Sequence, residues 1–397
     1  IADVSHYVRP GSELDREARE RGTSVYFPER AVHMFPAVLS TGLCSLNPNV
    51  DRLVQSCLME ISERGKVVRH ELHDGMIHSD ARMTYEDVSA ILAEGDAAVR
   101  ARYAELVPVF ELMHKLFEIL SRRRRRRGSI DFDLQEPEFV LSETGSVADI
   151  TATKRNVAHC IIEEFMLIAN EVVATHLRDH DIPTLYRVHD SPDVRKVAEF
   201  EDFITTFGHS LAAPKGNATP KHFQQLAKRI KGTPEEKPIA IMMLRTMQKA
   251  RYDSTADGHF GLAMSNYTHF TSPIRRYPDL VVHRALRALP KKKLSTSKRQ
   301  QLADGLPDLA TETSELERRA EEAERELVQW KKVRFMSDKV GDECEGYLIG
   351  VTSFGLFVQL DEPFVEGLVH ISSMADDYYR FIEREHALFG EATGKRY

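Results

Sequence analysis

"GDECEGYLIGVTSFGLFVQLDEPFVEGLVHISSM" (residues 341–374) holds three short runs of alternating apolar and polar residues, parted by a glycine-bearing turn and a loop. The pattern predicts strand, turn, strand, loop, strand. That is the opening of an OB-type barrel, a five-stranded all-β fold that takes up oligonucleotides across its middle strands. Three strands are expected before the sequence stops at Tyr397, with no room for the rest, so the barrel is expected to be truncated. Phe354 and Phe357 fall on the second strand and its turn, and His370 ends the third. On such a barrel these positions stack on bases, at about 1–3 kcal/mol per base whatever its identity. Taken singly, each reads as core packing, but a Phe-Gly-x-Phe beside a turn, with a histidine on the adjacent strand, is more specific than a lone aromatic.

Upstream, "SELERRAEEAERELVQW" (314–330) predicts a charged helix, with Glu315–Arg319 and Glu321–Arg325 four residues apart. A domain boundary is expected near residue 337, giving domains 1–336 and 337–397; a chain of 397 residues is too long for one ordinary core. Further upstream, "HFGLAMSNYTHF" (259–270) reads as a strand region that leads into "TSPIRRYPDLVVHRAL" (271–286). Here Arg275 and Arg276 stand between Pro273 and Pro278, ahead of an apolar helical run. Proline near a helix start and free backbone N–H groups favour an anion, and a guanidinium fork matches a phosphate. Two readings are equally good on the turn alone: a phosphate clamp, or an arginine pair neutralised by acidic neighbours.

The first 150 residues read as strand ("IADVSHYV"), then a helix opened by Ser12 with Asp15 and stopped by Gly22, then a proline-punctuated loop region. Residues 51–85 alternate as antiparallel strands, and 85–127 are helical with a break near Gly95. The run Arg122–Arg127 predicts a solvated helix face or loop. "GSIDFDLQEPEFVL" (128–141) returns to strand. "KRNVAHCIIEEFMLIANEVVATHL" (154–177) predicts a helix that buries Val157, Ile161, Phe165, Ile168 and Val172 and turns Asn156, His159, Glu163 and Asn170 to the other side.

A net charge of −7 argues against a simple basic-surface nucleic-acid binder, so positive charge must act locally. It gathers in Arg122–Arg127, Lys291–Arg299 and the Arg275–Arg276 pair. Four dispersed cysteines with no C-x-x-C pair speak against a zinc site or a disulfide framework and for a reducing, cytoplasmic setting. No apolar run is long enough to span a bilayer, and no signal peptide is recognised. The sequence opens on Ile1 within a strand-like pattern, which is read as a piece cut from a longer protein.

"IADVSHYVRPGSELDREARERGTSVYFPERAVHMFP", "LSTGLCSLNPNVDRL", "IIEEFMLIAN", "GHFGLAMSNYTHFTSPIRRYPDLVVHRAL" and "GYLIGVTSFGLFVQLDEPFVEGLVHIS" together resemble the RNase II/RNase R (RNB) family, on its RNase R side, over essentially the whole chain. The resemblance implies an α+β architecture: an RNB catalytic domain of helices around a mixed or antiparallel sheet with a central RNA channel, then a truncated S1-type OB domain. It implies processive 3′→5′ hydrolysis of single-stranded RNA with a free 3′ end, release of nucleoside monophosphates, dependence on Mg²⁺, and a monomer. Carried over by position, Arg275 contacts the scissile phosphate, and Tyr26 and Phe132 clamp the terminal bases. Tyr85 touches the RNA, and Glu163 lies near the terminal ribose, where a 2′-hydroxyl contact separates RNA from DNA. Glu324 falls near an acidic position that affects turnover, and Arg276 joins the RNA-binding set. The sequence departs from the family in one respect. The aspartate cluster D-x(5)-D-x-D-D, which carries the metal, lies upstream of Ile1 in the family pattern. Asp3 alone cannot replace it and reads as a structural hydrogen-bond partner. No metal ligand is therefore expected in these residues, and the fragment alone is expected to be inactive. A non-catalytic RNB-type RNA-binding regulator is the alternative. A translation-factor-like protein sharing only the OB tail would leave residues 1–336 unexplained.

Overall fold

A computed structural model describes the chain except residues 132–134, 144, 154, 215–216, 289–294 and 384–386, and the side chain of Lys298. Where alternation predicts a first strand, the chain makes one bridge, Ala2 to Val54, and then helix α1 (Val4–Tyr7). Asp3 causes the switch. Its carboxylate accepts the His6 N–H and the Ser5 hydroxyl and pairs with Arg287, so a side-chain cap replaces strand pairing. Ser12 caps α2 (Glu13–Arg21) by accepting from the Asp15 N–H, and Gly22 ends it at φ 69°. The expected loop region contains a hairpin of β1 (Val25–Phe27) and β2 (Arg30–Val32), followed by a wide helical turn at Val38–Leu43. The antiparallel pair β3 (Asp51–Ile61) and β4 (Val67–His78) follows as expected.

Helices α3 (Tyr85–Ser89), α4 (Ala97–Arg102) and α5 (Val107–Arg127) come next, with the break at left-handed Gly95. The arginine run closes α5, and part of it is not solvated. Arg124 is buried against Glu164, and Arg127 pairs with Glu171 at 2.7 Å, because buried guanidinium charge is tolerated only when paired. Strands β5 (Pro137–Leu141) and β6 (Val147–Ala152) form a hairpin ahead of α6 (Val157–Asp179). This helix buries Ile161, Ile168 and Val172 as the pattern predicts, but also Leu167, Val173 and Leu177. Asn170, expected on the open side, is buried too. A helix enclosed nearly all round carries no single apolar stripe, so the pattern understated its burial.

Strand β7 (Tyr186–Val188) pairs with the distant β8 (Arg251–Asp253), with α7 (Val194–Thr205), α8 (Pro220–Ile230) and α9 (Glu236–Thr246) between them in sequence. Residues 259–270 form turns and isolated bridges rather than the expected strand. Then come α10 (Tyr277–Arg287), α11 (Thr296–Ala303) and α12 (Leu306–Ser337), and the expected boundary near 337 falls at the end of α12. The tail has β9 (Gly346–Thr352), β10 (Gly355–Leu360) and β11 (Glu366–His370) in one antiparallel sheet with β10 central. It also has two strands for which the sequence reading left no room, β12 (Tyr379–Ile382) and β13 (Ala387–Gly390), paired with each other. Among the described residues these five strands do not close into a barrel.

The chain folds as two compact units interleaved in sequence: 1–127, 155–190 and 250–324 in the first, and 128–154, 191–249 and 325–397 in the second. In the first, α1, α2 and α10 share a core of Val4, Val8, Ala18, Met34, Phe35, Tyr277 and Leu280. In the second, Phe200 stacks on Phe223, and Leu356, Tyr379 and Leu388 fill the sheet's interior.

Candidate nucleic-acid interface

The arginine turn gives its two guanidinium groups different work. Arg276 is gripped by Asp279 through two hydrogen bonds of 2.8 Å each, at the i,i+3 spacing on α10. Asp279 is completely buried, and its Oδ1 also accepts the Ser272 N–H at 2.7 Å. Burial works against the charge on Arg276, but the attraction of Asp279 outweighs it and raises the pKa. Arg276 is thereby engaged in holding the turn from inside, which leaves its expected contact with RNA without a free fork. Arg275 is exposed, and among the described residues no hydrogen bond or ion pair engages its guanidinium. The two readings left even by the sequence are divided between neighbours: Arg276 is neutralised by an acid, and Arg275 is displayed.

The same turn anchors the β1–β2 hairpin. The Arg275 carbonyl accepts the Ser24 N–H at 2.9 Å and the Thr23 hydroxyl at 3.0 Å, and Tyr277 donates its N–H to the Gly22 carbonyl at 2.9 Å. Tyr26, mid-strand in β1, is 47% exposed, and its N–H donates to Glu324 on α12 at 2.6 Å. Three residues read separately from the sequence are thus joined by backbone: Arg275, Tyr26 and Glu324. Beneath the turn, Tyr252 and His269 are hydrogen-bonded at 2.9 Å, and Asn170 bridges the Tyr267 hydroxyl and the Phe270 N–H at 3.0 and 2.9 Å. Burial raises the Tyr252 pKa and lowers that of His269, so both are neutral near pH 7. Sequence reasoning missed Asp279 and Asn170 as supports; the i,i+3 Arg276–Asp279 spacing was the available signal.

A second group gathers at the start of α6. Tyr85 opens α3, is 42% exposed and lies face to face with His159, ring centroids 3.9 Å apart and planes 23° apart. Glu163, one turn on from His159, is paired with Arg155 at 2.5 Å. In the second unit, Phe354 is 46% exposed at the β9–β10 turn and meets Phe357 edge-on at 6.0 Å. His370 ends β11, its Nδ1 2.8 Å from the Ser372 hydroxyl. Gly355, at φ 151°, makes this turn possible, since a Cβ there would sit 2.2 Å from the Val369 carbonyl oxygen. Phe132 lies outside the described residues. Among the described residues no three His, Cys, Asp or Glu side chains gather so as to hold a metal ion. The Mg²⁺ implied by the resemblance therefore finds no ligand set among the described residues.

Residues 1–292 match the RNB domain family. The chain belongs to the RNB family. Residues 337–391 of this RNB-family chain match the S1 RNA binding domain, which agrees with an α+β architecture of RNB followed by S1. It is 46% identical to Ribonuclease R 1 of Lactococcus lactis over 99% of its length, covering 48% of that protein. It is 42% identical to Ribonuclease R of Escherichia coli over 100% of its length, covering 49% of that protein. The RNB chain thus spans about half the length of the curated relatives it matches. Mycoplasma genitalium RNase R, solved in complex with ribose-methylated single-stranded RNA, superposes with a TM-score of 0.91 at 30% identity, covering 100% of this chain and 62% of that one. Among the described residues, no helix is long and apolar enough to cross a membrane.

Proposed function

We propose that this chain is the greater part of an RNase R-like, processive 3′→5′ exoribonuclease of the cytoplasm, monomeric and Mg²⁺-dependent, with residues 1–336 catalytic and 337–397 an S1-type RNA-binding domain. One observation carries the reading. Arg275 is displayed unpaired from a turn locked by Arg276–Asp279, and that turn also anchors the strand bearing exposed Tyr26. Hydrolysis adds water across the terminal P–O3′ bond, leaving a nucleoside 5′-monophosphate and a new 3′-hydroxyl. Arg275 stabilises the charge that builds on the phosphate oxygens as that bond breaks. The locked turn fixes the backbone from which that guanidinium reaches the phosphate.

Tyr26 supplies one side of the base clamp that the resemblance implies. Tyr85 contacts the RNA, and Glu163 accepts from the terminal ribose hydroxyls, which favours RNA over DNA. Glu324 acts through Tyr26, whose strand it fixes. Phe354, Phe357 and His370 offer stacking surfaces to single-stranded bases.

The protein, expressed at the length of its relatives and incubated with 5′-labelled single-stranded RNA and Mg²⁺, should shorten it stepwise from the 3′ end. A shifted band with no shortening would instead identify a non-catalytic RNA binder.

A further inference from the structure

We propose that His159 is a positioning residue that fixes the Tyr85 ring, so that the preference for RNA over DNA depends on the Tyr85–His159 stack. The proposal rests on the reading above, in which Tyr85 contacts the RNA and Glu163 meets its terminal ribose. An exposed tyrosine at the first position of a five-residue helix has little of its own helix to hold its ring. His159 supplies the missing support, with near-parallel rings at 3.9 Å. Among the described residues no other ring covers Tyr85.

His159 is itself held on three counts. It sits in the first turn of α6, whose cap is Asn156, and Asn156 Oδ1 accepts the backbone N–H groups of Ala158 and His159 at 3.0 and 3.1 Å. The same oxygen lies 2.8 Å from His159 Nδ1. An amide oxygen can only accept, so Nδ1 carries the proton and the ring plane is set. The Asn156 amide nitrogen then donates to the Tyr85 carbonyl at 3.3 Å, which ties the start of α3 to the same cap. Glu163 follows His159 by four residues on α6 and is held by Arg155, so the tyrosine ring and the carboxylate are placed from one helix face. An asparagine cap thereby sets the tautomer of a histidine, and the histidine sets the tyrosine. Nothing in the arrangement requires His159 to touch RNA.

The test measures the affinity of the 397-residue chain for a single-stranded RNA and for DNA of the same sequence, with thermal unfolding as the control. His159→Ala should lower the RNA-over-DNA ratio about tenfold, the scale of a lost aromatic pair, without a matching loss for DNA. His159→Phe restores a stacking ring and should return the ratio to within about threefold of the unsubstituted chain. If His159→Ala does not fold, His159→Leu set against His159→Phe makes the same comparison at similar bulk. An unchanged ratio in His159→Ala beside a lowered one in Tyr85→Ala overturns the positioning role alone. His159→Phe behaving like His159→Ala also overturns it, because the ring nitrogens rather than the stack would then matter. No effect in either His159→Ala or Tyr85→Ala, or no RNA preference to begin with, removes the underlying reading and the proposal with it.

Discussion

Tyr26 and Glu324, 298 positions apart in sequence, are joined by a 2.6 Å hydrogen bond from the Tyr26 N–H to the Glu324 carboxylate. The contact spends a backbone donor that a two-stranded hairpin leaves unpaired on its outer edge. It also gives the exposed tyrosine a fixed place beside the turn that displays Arg275.

Glu324→Ala should therefore loosen the β1 strand and weaken RNA binding roughly fivefold, the equivalent of about 1 kcal/mol for one hydrogen bond. Glu324→Gln keeps an acceptor and should bind within about twofold of the unsubstituted chain. Fluorescence anisotropy with a labelled RNA checks both. Equal losses in the two variants would mean that the charge, not the acceptor, is what matters.

Asp279→Ala removes the partner of a guanidinium that is itself largely buried. An unpaired buried charge costs about 3–5 kcal/mol, so the urea midpoint should fall sharply or folding should fail. Arg275→Ala, one residue from the pair, should leave the midpoint nearly unchanged. Similar destabilisation by both would contradict the division of labour between the two arginines.

The buried histidines make stability pH-dependent. Burial holds His283 down to about 4, and burial, with help from His180 and His70, holds His176 down to about 4. Both are neutral when folded, while the unfolded chain takes up their protons below about pH 6.5. The unfolded state then binds more protons, so this contribution to stability is complete above about pH 6.5 and is lost as pH falls towards 4. Urea midpoints should be flat above neutrality on this account and fall across that window. His283→Gln should shallow the slope by about one proton, near 1.4 kcal/mol per pH unit. An unchanged slope would show that His283 is not neutral in the fold.

Much of this architecture is legible in the sequence where local chemistry and pattern agree. Ser12 and Gly22 mark the ends of α2, the 51–85 alternation marks the β3–β4 pair, and Gly95 marks the helix break. The reading fails where distant residues decide. "IADVSHYV" alternates like a strand, but Asp3 caps a helix and is secured by Arg287 from the far end of α10. Arg124 looks like one of six solvated arginines until Glu164 of α6 buries it. β12 and β13 are short, so their alternation is too brief to register. At the site, the residue types in "TSPIRRYPDL" announce anion binding but do not say which arginine is free. That depends on where the Asp279 carboxylate points, a fact of side-chain packing. Tyr26, Arg275 and Glu324 each carry a signal of their own, whereas the hydrogen bonds that join them exist only in the folded chain.

Arg275→Ala, made in the protein at the length of its relatives, tests the central claim most directly. RNA affinity and the rate of 3′-end shortening of a 5′-labelled single strand are measured side by side. The account predicts affinity within about threefold of the unsubstituted protein and a rate lower by at least about a hundredfold, the usual scale for removing one preorganised transition-state donor. A rate that stays near that of the unsubstituted protein, or one that falls only in step with affinity, would contradict it.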